Sequence, residues 1–154
     1  PHIDSLGQSG TRFTSFYVAQ PVCTASRTAL LTGCYPNRLG MAGALNHTST
    51  IGINTSETLL SQLFKGQGYA TGILGKWHLG QQLQFLPTKR GFDEFAGLPY
   101  SNDMDTPNSK VRNSNSMSLH PDWRPFNVPL MRNRDIIDWN RAKPSVLYSF
   151  NGSR

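Results

Sequence analysis

Apolar residues come in short bursts separated by glycine, proline and asparagine, and the bursts change period along the chain. Ile3 and Leu6, three apart and followed by Gly10 in a C-cap position, predict a short helix over His2–Ser9. Thr11–Val18 (TRFTSFYV) is β-branched and aromatic with partial alternation, the pattern of a strand leading into Gln20-Pro21. Ala29, Leu30 and Leu31 suit a helix over Ser26–Thr32 that Gly33 ends, which puts Cys23 at or just before a helix N-terminus. Residues 34–54 carry Pro36 and repeated Gly, Asn, Ser and Thr, as an irregular surface excursion would. A helix start follows at Asn54, the N-cap, with Glu57 at N3 and an apolar stripe of Leu59, Leu60, Leu63 and Phe64 running to Gly66 or Gly68. Tyr69–Leu74 (YATGIL) resumes a strand pattern. This succession of strand, helix, helix and strand argues for an α/β layer. Residues 100–127 are crowded with Asn, Ser, Asp and Pro, which predicts a long binding or packing loop, and Val146–Phe150 reads as a last strand.

Length and composition narrow the class. The 154 residues fit one domain, and nothing resembling a linker divides them. No apolar run approaches the ~20 residues of a membrane helix. Cys23 and Cys34 are too few for a disulfide scaffold and lack zinc-type spacing. The formal charge of +6 falls between residues 5 and 92, where Arg12, Arg27, Arg38, Lys65, Lys76, Lys89 and Arg90 face Glu57 alone. That asymmetry suits an anion-handling surface, or simply a solvated basic face; without an aromatic-and-basic recognition motif, nucleic acid is not the expected partner.

Two segments carry chemistry. In Cys23-Thr24-Ala25-Ser26-Arg27, a helix would bring Cys23 and Arg27 onto one face, four residues apart, beside the N–H groups of the first turn. A thiol, a guanidinium and a helix N-terminus together favour an anion such as sulfate or phosphate, or a thiolate. The bland alternative is a small buried cysteine. In Gly75-Lys76-Trp77-His78-Leu79-Gly80, Lys76 and His78 are two apart, so on extended backbone both project to one face. An ammonium and an imidazole there can hold a tetrahedral anion and protonate a leaving oxygen, or can be two solvated side chains at a strand end. Cys34 reads as a buried or free thiol, and His2, His47 and His120 have no metal-ligand spacing.

Together these segments resemble the sulfatase family, in particular its arylsulfatase A-like members. CTASR matches the family signature Cys-x-Pro/Ala-Ser-Arg and continues through Thr28–Gly33; GYATGILGKWHLG, residues 68–80, matches the second signature. PHIDSLGQSGTRFTSFYV resembles the lead-in to the first signature. Arg90–Asp93 and Gly97–Asp103 resemble the stretch after the second, so the likeness covers roughly residues 1–139. The fold this implies is α/β and alkaline-phosphatase-like, a mainly parallel sheet flanked by helices.

The resemblance implies a sulfuric ester hydrolase in which a maturation enzyme oxidises Cys23 to formylglycine. The aldehyde's hydrate has two hydroxyls: one attacks sulfur and expels the alcohol, and the other then collapses to aldehyde and ejects sulfate. By the same resemblance Arg27 holds the formylglycine, Lys76 and His78 contact sulfate or protonate the leaving group, and Ser101 lies near substrate. Calcium would polarise the sulfate oxygens, with Cys23 as formylglycine among its ligands. The family takes its metal carboxylates from an Asp-Asp strand before position 1 and an Asp-Asn or Asp-His pair beyond position 154. Residues 1–154 are therefore expected to be a partial catalytic domain with little activity by themselves, and by the resemblance the protein is expected to be exported, to a periplasm, the exterior or a lysosome, with a targeting signal that is not among these residues. Relatives with the same signature also suggest a phosphodiester or phosphonate monoester hydrolase, and the basic region an inactive, truncated anion-binding fragment.

Overall fold

A computed structural model describes residues 1–104 and 128–138. Three helices come first: α1 (His2–Ser9), α2 (Cys23–Thr32) and α3 (Leu60–Gly66). They precede strands β1 (Gly72–Lys76), β2 (Glu94–Leu98), β3 (Leu130–Arg132) and β4 (Asp135–Asp138), hydrogen-bonded in that order. β1 and β2 run parallel, paired from Gly72–Glu94 to Lys76–Leu98. β3 and β4 add antiparallel neighbours, so the described sheet is mixed. Helices packed against a sheet bear out the α/β expectation. Among the described residues no helix is long and apolar enough to cross a membrane.

One glycine fixes the parallel pair. A Cβ on Gly97 would overlap the Gly75 carbonyl oxygen, so the two backbones meet there only because no side chain intervenes. At the β3–β4 turn, Asn133 adopts φ 56° and its Oδ1 accepts from the Phe95 N–H at 2.9 Å, tying the turn back to β2.

The helix boundaries differ from the sequence reading in instructive ways. α2 starts at Cys23, three residues before the expected Ser26, and ends as expected at Gly33 in the left-handed conformation, φ 70°. No helix begins at Asn54. Its side-chain oxygen instead accepts from the Ser56 N–H at 3.0 Å and the Ser56 hydroxyl at 2.9 Å, a local turn that competes with helix. The Arg90 guanidinium, in a residue only 2% exposed, takes the carbonyls of Asn54, Thr55 and Glu57 at 3.0, 2.8 and 2.7 Å. α3 therefore starts at Leu60, where Gln62 Oε1 accepts from the Leu59 N–H at 2.9 Å. Its stripe is only partly buried: Leu59 is enclosed, whereas Leu60, Leu63 and Phe64 are exposed.

Thr11–Val18 is irregular and exposed, because propensity alone makes no strand and none of the described strands pairs with it. The strand expected over Tyr69–Leu74 is displaced to Gly72–Lys76. Tyr69 closes α3 instead, its N–H on the Phe64 carbonyl at 3.1 Å and its ring edge-on to Phe64 at 5.3 Å. The 34–54 excursion is irregular apart from a 3-10 turn over Pro36–Leu39, yet it does not lie wholly on the surface. Met41, Leu45 and Ile53 enter the core beside Leu59, Trp77, Leu79, Leu86, Phe95 and Met131. Most of the 100–127 loop and all of Val146–Phe150 lie outside the described residues.

Candidate active site

The second signature is anchored by its tryptophan. Trp77 is 1% exposed, its Nε1–H donates to the Phe85 carbonyl at 2.9 Å, and its ring meets Phe92 edge-on at 6.0 Å. Truncating such a residue costs about 3–5 kcal/mol. Lys76 and His78 flank this buried anchor. Beyond β1 the backbone still follows β2, with Trp77 N–H on the Leu98 carbonyl at 2.9 Å and His78 N–H on the Pro99 carbonyl at 3.0 Å.

α2 is fastened to the end of β1 from the other side. Cys23 occupies its first position as a partly exposed free thiol. Arg27 is half-buried, and its Nη1 donates to the Lys76 carbonyl at 2.6 Å. Burial lowers the guanidinium's pKa from its ordinary value, and its electrostatic interaction with Cys23 opposes that shift. Of the first-turn N–H groups, that of Ala25 is engaged by the Gly43 carbonyl at 3.2 Å. Lys76 Nζ donates to the Ser101 hydroxyl at 3.0 Å, and Ser101 is buried just after β2. One chain of contacts thus joins Cys23 and Arg27 on α2, Lys76 on β1 and Ser101.

His78 is held differently. The extended alternation expected to align it with Lys76 stops at Lys76, because His78 turns into the left-handed region at φ 61°. Its ring is buried, with Nε2 2.6 Å from the Leu45 carbonyl, and its own carbonyl accepts from Thr24 Oγ1 at 2.9 Å. A carbonyl oxygen only accepts, so Nε2 carries a hydrogen.

Thr24, Gly43 and Leu45 escape a reading of the sequence. Thr24 is a helical threonine inside the signature with no mark of its own, and Gly43 and Leu45 sit in the excursion whose path only the fold reveals. Gln81, also buried, pins the same excursion through the His47 carbonyl at 2.6 Å. Cys34 is a free, exposed thiol. His2 is exposed, while the His47 ring lies 6.5 Å from that of Tyr100.

Two grooves among the described residues are lined by other side chains. One, of about 350 Å³, is apolar and runs between Leu31, Leu60, Phe64, Tyr69 and Phe92. The other, of about 530 Å³, lies beside Met41, Gly52 and Phe85. The described residues also do not make a calcium shell: among them no group of three or more His, Cys, Asp or Glu converges, and the charged neighbour of Cys23 is a cation. A thiol at a helix start, a guanidinium four residues on, an ammonium and a hydroxyl make a set of groups that suits a tetrahedral oxyanion.

Comparison with known proteins agrees with that chemistry. The sulfatase family model matches residues 1–142. Arylsulfatase A of Bos taurus is 48% identical over 106 residues, 67% of this chain and 21% of that protein. Steryl-sulfatase of Rattus norvegicus is 44% identical over 117 residues, 68% of this chain and 20% of that protein. The crystal structure of Ps i-CgsB superposes with a TM-score of 0.69 at 35% identity, covering 92% of this chain and 32% of that one. The chain therefore spans about a fifth of the length of the curated relatives it matches. With two signatures held together in space and a family model matched over most of its residues, the chain belongs to the sulfatase family.

Proposed function

We propose that this chain forms the nucleophile-bearing part of a sulfatase catalytic domain that cleaves sulfate monoesters. Sulfatases as a family use calcium and formylglycine, and Cys23, a free and partly exposed thiol at the first position of α2, suits conversion by a maturation enzyme. The observation that carries the reading is the bond from Arg27 Nη1 to the Lys76 carbonyl, because it brings the two signatures to one place.

Once converted, Cys23 supplies a hydrated aldehyde as nucleophile. Arg27, half-buried and fixed at one Nη, keeps a permanent positive charge next to that group and next to the sulfate it attacks. Lys76, held by Ser101, supplies a second cation for the equatorial oxygens, and Ser101 orients it. His78 keeps the Nε2 hydrogen on the Leu45 carbonyl and, once its Nδ1 is protonated as well, gives that second proton to the departing alkoxide. Calcium remains an expectation of the resemblance, its carboxylates being sought elsewhere in the protein, and no step above depends on it. Export of the protein is proposed on the same family grounds.

The test is made on the protein that carries this chain, produced with a maturation enzyme. Peptide mass spectrometry should find formylglycine at position 23, and 4-nitrophenyl sulfate should be turned over in preference to the matched aryl phosphonate. Cysteine persisting at position 23 under conditions that convert a control sulfatase would sink the reading. Preference for the phosphonate would move the protein to the phosphorus-cleaving branch.

A further inference from the structure

Thr24 follows Cys23 directly yet is turned into the protein, 1% exposed. Its hydroxyl uses both of its capacities. Oγ1 donates to the His78 carbonyl at 2.9 Å and accepts from the Leu45 N–H at 3.1 Å. The Leu45 carbonyl in turn receives His78 Nε2 at 2.6 Å. Three hydrogen bonds thus close a ring through Thr24, Leu45 and His78, with both the backbone and the imidazole of His78 inside it.

His78 needs such support. A non-glycine residue at φ 61° lies in a region its Cβ disfavours, and it stays there only when its surroundings over-determine it. The carbonyl held by Thr24 belongs to that strained residue, and the carbonyl that sets the imidazole's hydrogen on Nε2 belongs to the residue whose N–H Thr24 holds. Ala25 N–H on the Gly43 carbonyl at 3.2 Å ties the same excursion to the same turn of α2.

We propose that Thr24 is a positioning residue for His78, fixing through the Leu45 backbone which imidazole nitrogen faces the reacting groups. The inference rests on the reading of His78 as proton donor in sulfate ester cleavage. It assigns the second residue of CTASR a role apart from Cys23 conversion: the segment that supplies the nucleophile also orients the acid.

The experiment is a double-mutant cycle in the protein that carries this chain, with rates of 4-nitrophenyl sulfate hydrolysis normalised to the formylglycine content at position 23. Thr24→Val keeps the shape but removes both bonds; Thr24→Ser keeps them. Thr24→Val should lower kcat about 10- to 100-fold with KM changed less than about 3-fold, and Thr24→Ser should stay within about 3-fold of the parent. Combined with His78→Asn, which tolerates the left-handed backbone, Thr24→Val should add less than about 3-fold. Imidazole nitrogen shifts should report hydrogen on Nε2 of His78 in the parent and a tautomer mixture in Thr24→Val. If Thr24→Val yields no folded protein, Thr24→Ala takes its place in the same cycle. A full, additive loss on top of a damaging His78→Asn would overturn the positioning role alone. An innocuous His78→Asn would overturn the catalytic reading of His78 and this inference with it.

Discussion

Arg27 and Lys76, 49 positions apart in the chain, meet through a 2.6 Å hydrogen bond from the Arg27 guanidinium to the Lys76 backbone carbonyl. The partner is the carbonyl, not the ammonium, so the residue type at position 76 can change without breaking the joint. Position 27 cannot: a lysine there would present one ammonium where a planar fork both bonds the carbonyl and faces Cys23. Arg27→Lys is therefore expected to lower turnover of an aryl sulfate by at least ~100-fold per formylglycine present. Mass spectrometry of residue 23 separates that loss from failed maturation, and a variant within a few-fold of the parent would dismiss the joint as incidental.

Lys76 and His78 should separate in behaviour, since one side chain is partly exposed and the other buried. Lys76→Ala is expected to cost at least ~100-fold in turnover with the thermal midpoint little changed, because among the described residues its ammonium bonds only the Ser101 hydroxyl. His78→Ala removes the ring from the core at a left-handed position and should lower the midpoint as well as the rate. His78→Asn, suited to that backbone, isolates the chemical loss. Thermal unfolding beside steady-state kinetics decides it; normal turnover in both Lys76→Ala and His78→Asn would reduce the second signature to packing.

Much of this site was legible because its residues are close in sequence to the features that place them. Cys23 and Arg27 share a helix face by spacing alone, and Gly33 ends that helix as its position suggests. Lys76 next to a strand end was equally visible. What stayed hidden depends on contacts from far along the chain. Asn54 carries a helix-start pattern, yet Arg90, 33 to 36 positions away from the three carbonyls it binds, holds that segment as a turn. Thr11–Val18 has strand composition, but a strand exists only with a partner, and composition names none. The role of Leu45 was invisible because it acts through its backbone, which every residue type possesses.

Gly97 offers a stability test independent of chemistry. Its missing Cβ is what lets β2 lie against the Gly75 carbonyl, and backbone cannot yield as a flexible side chain does. Gly97→Ala should destabilise the protein by roughly 3 kcal/mol or prevent folding, whereas Gly72→Ala, whose added Cβ meets nothing within 4 Å, should change stability little. Denaturant unfolding of the two variants checks the contrast, and equal midpoints would mean that the strands separate at no cost.

Asp93 provides a pH signature away from the reacting groups. Its carboxylate accepts from Lys65 Nζ, from the Thr71 N–H at 2.9 Å and from the Thr71 hydroxyl at 3.0 Å. The Lys65 hydrogen bond first, and then those of Thr71, hold its pKa down at about 2 against an ordinary 3.8. A depressed folded-state pKa means that the unfolded chain binds the proton more readily. The contribution to stability is thus fully present above the unfolded value of 3.8, and it is lost as pH falls through about 2. Asp93→Asn should therefore lower the thermal midpoint at pH 6, with the gap to the parent closing progressively between pH 4 and pH 2. The group is exposed, so salt should shrink the gap as well. Midpoints measured across that range at two ionic strengths test both statements; a gap unchanged down to pH 2 would show that the Lys65 and Thr71 contacts do not hold the carboxylate in its charged form.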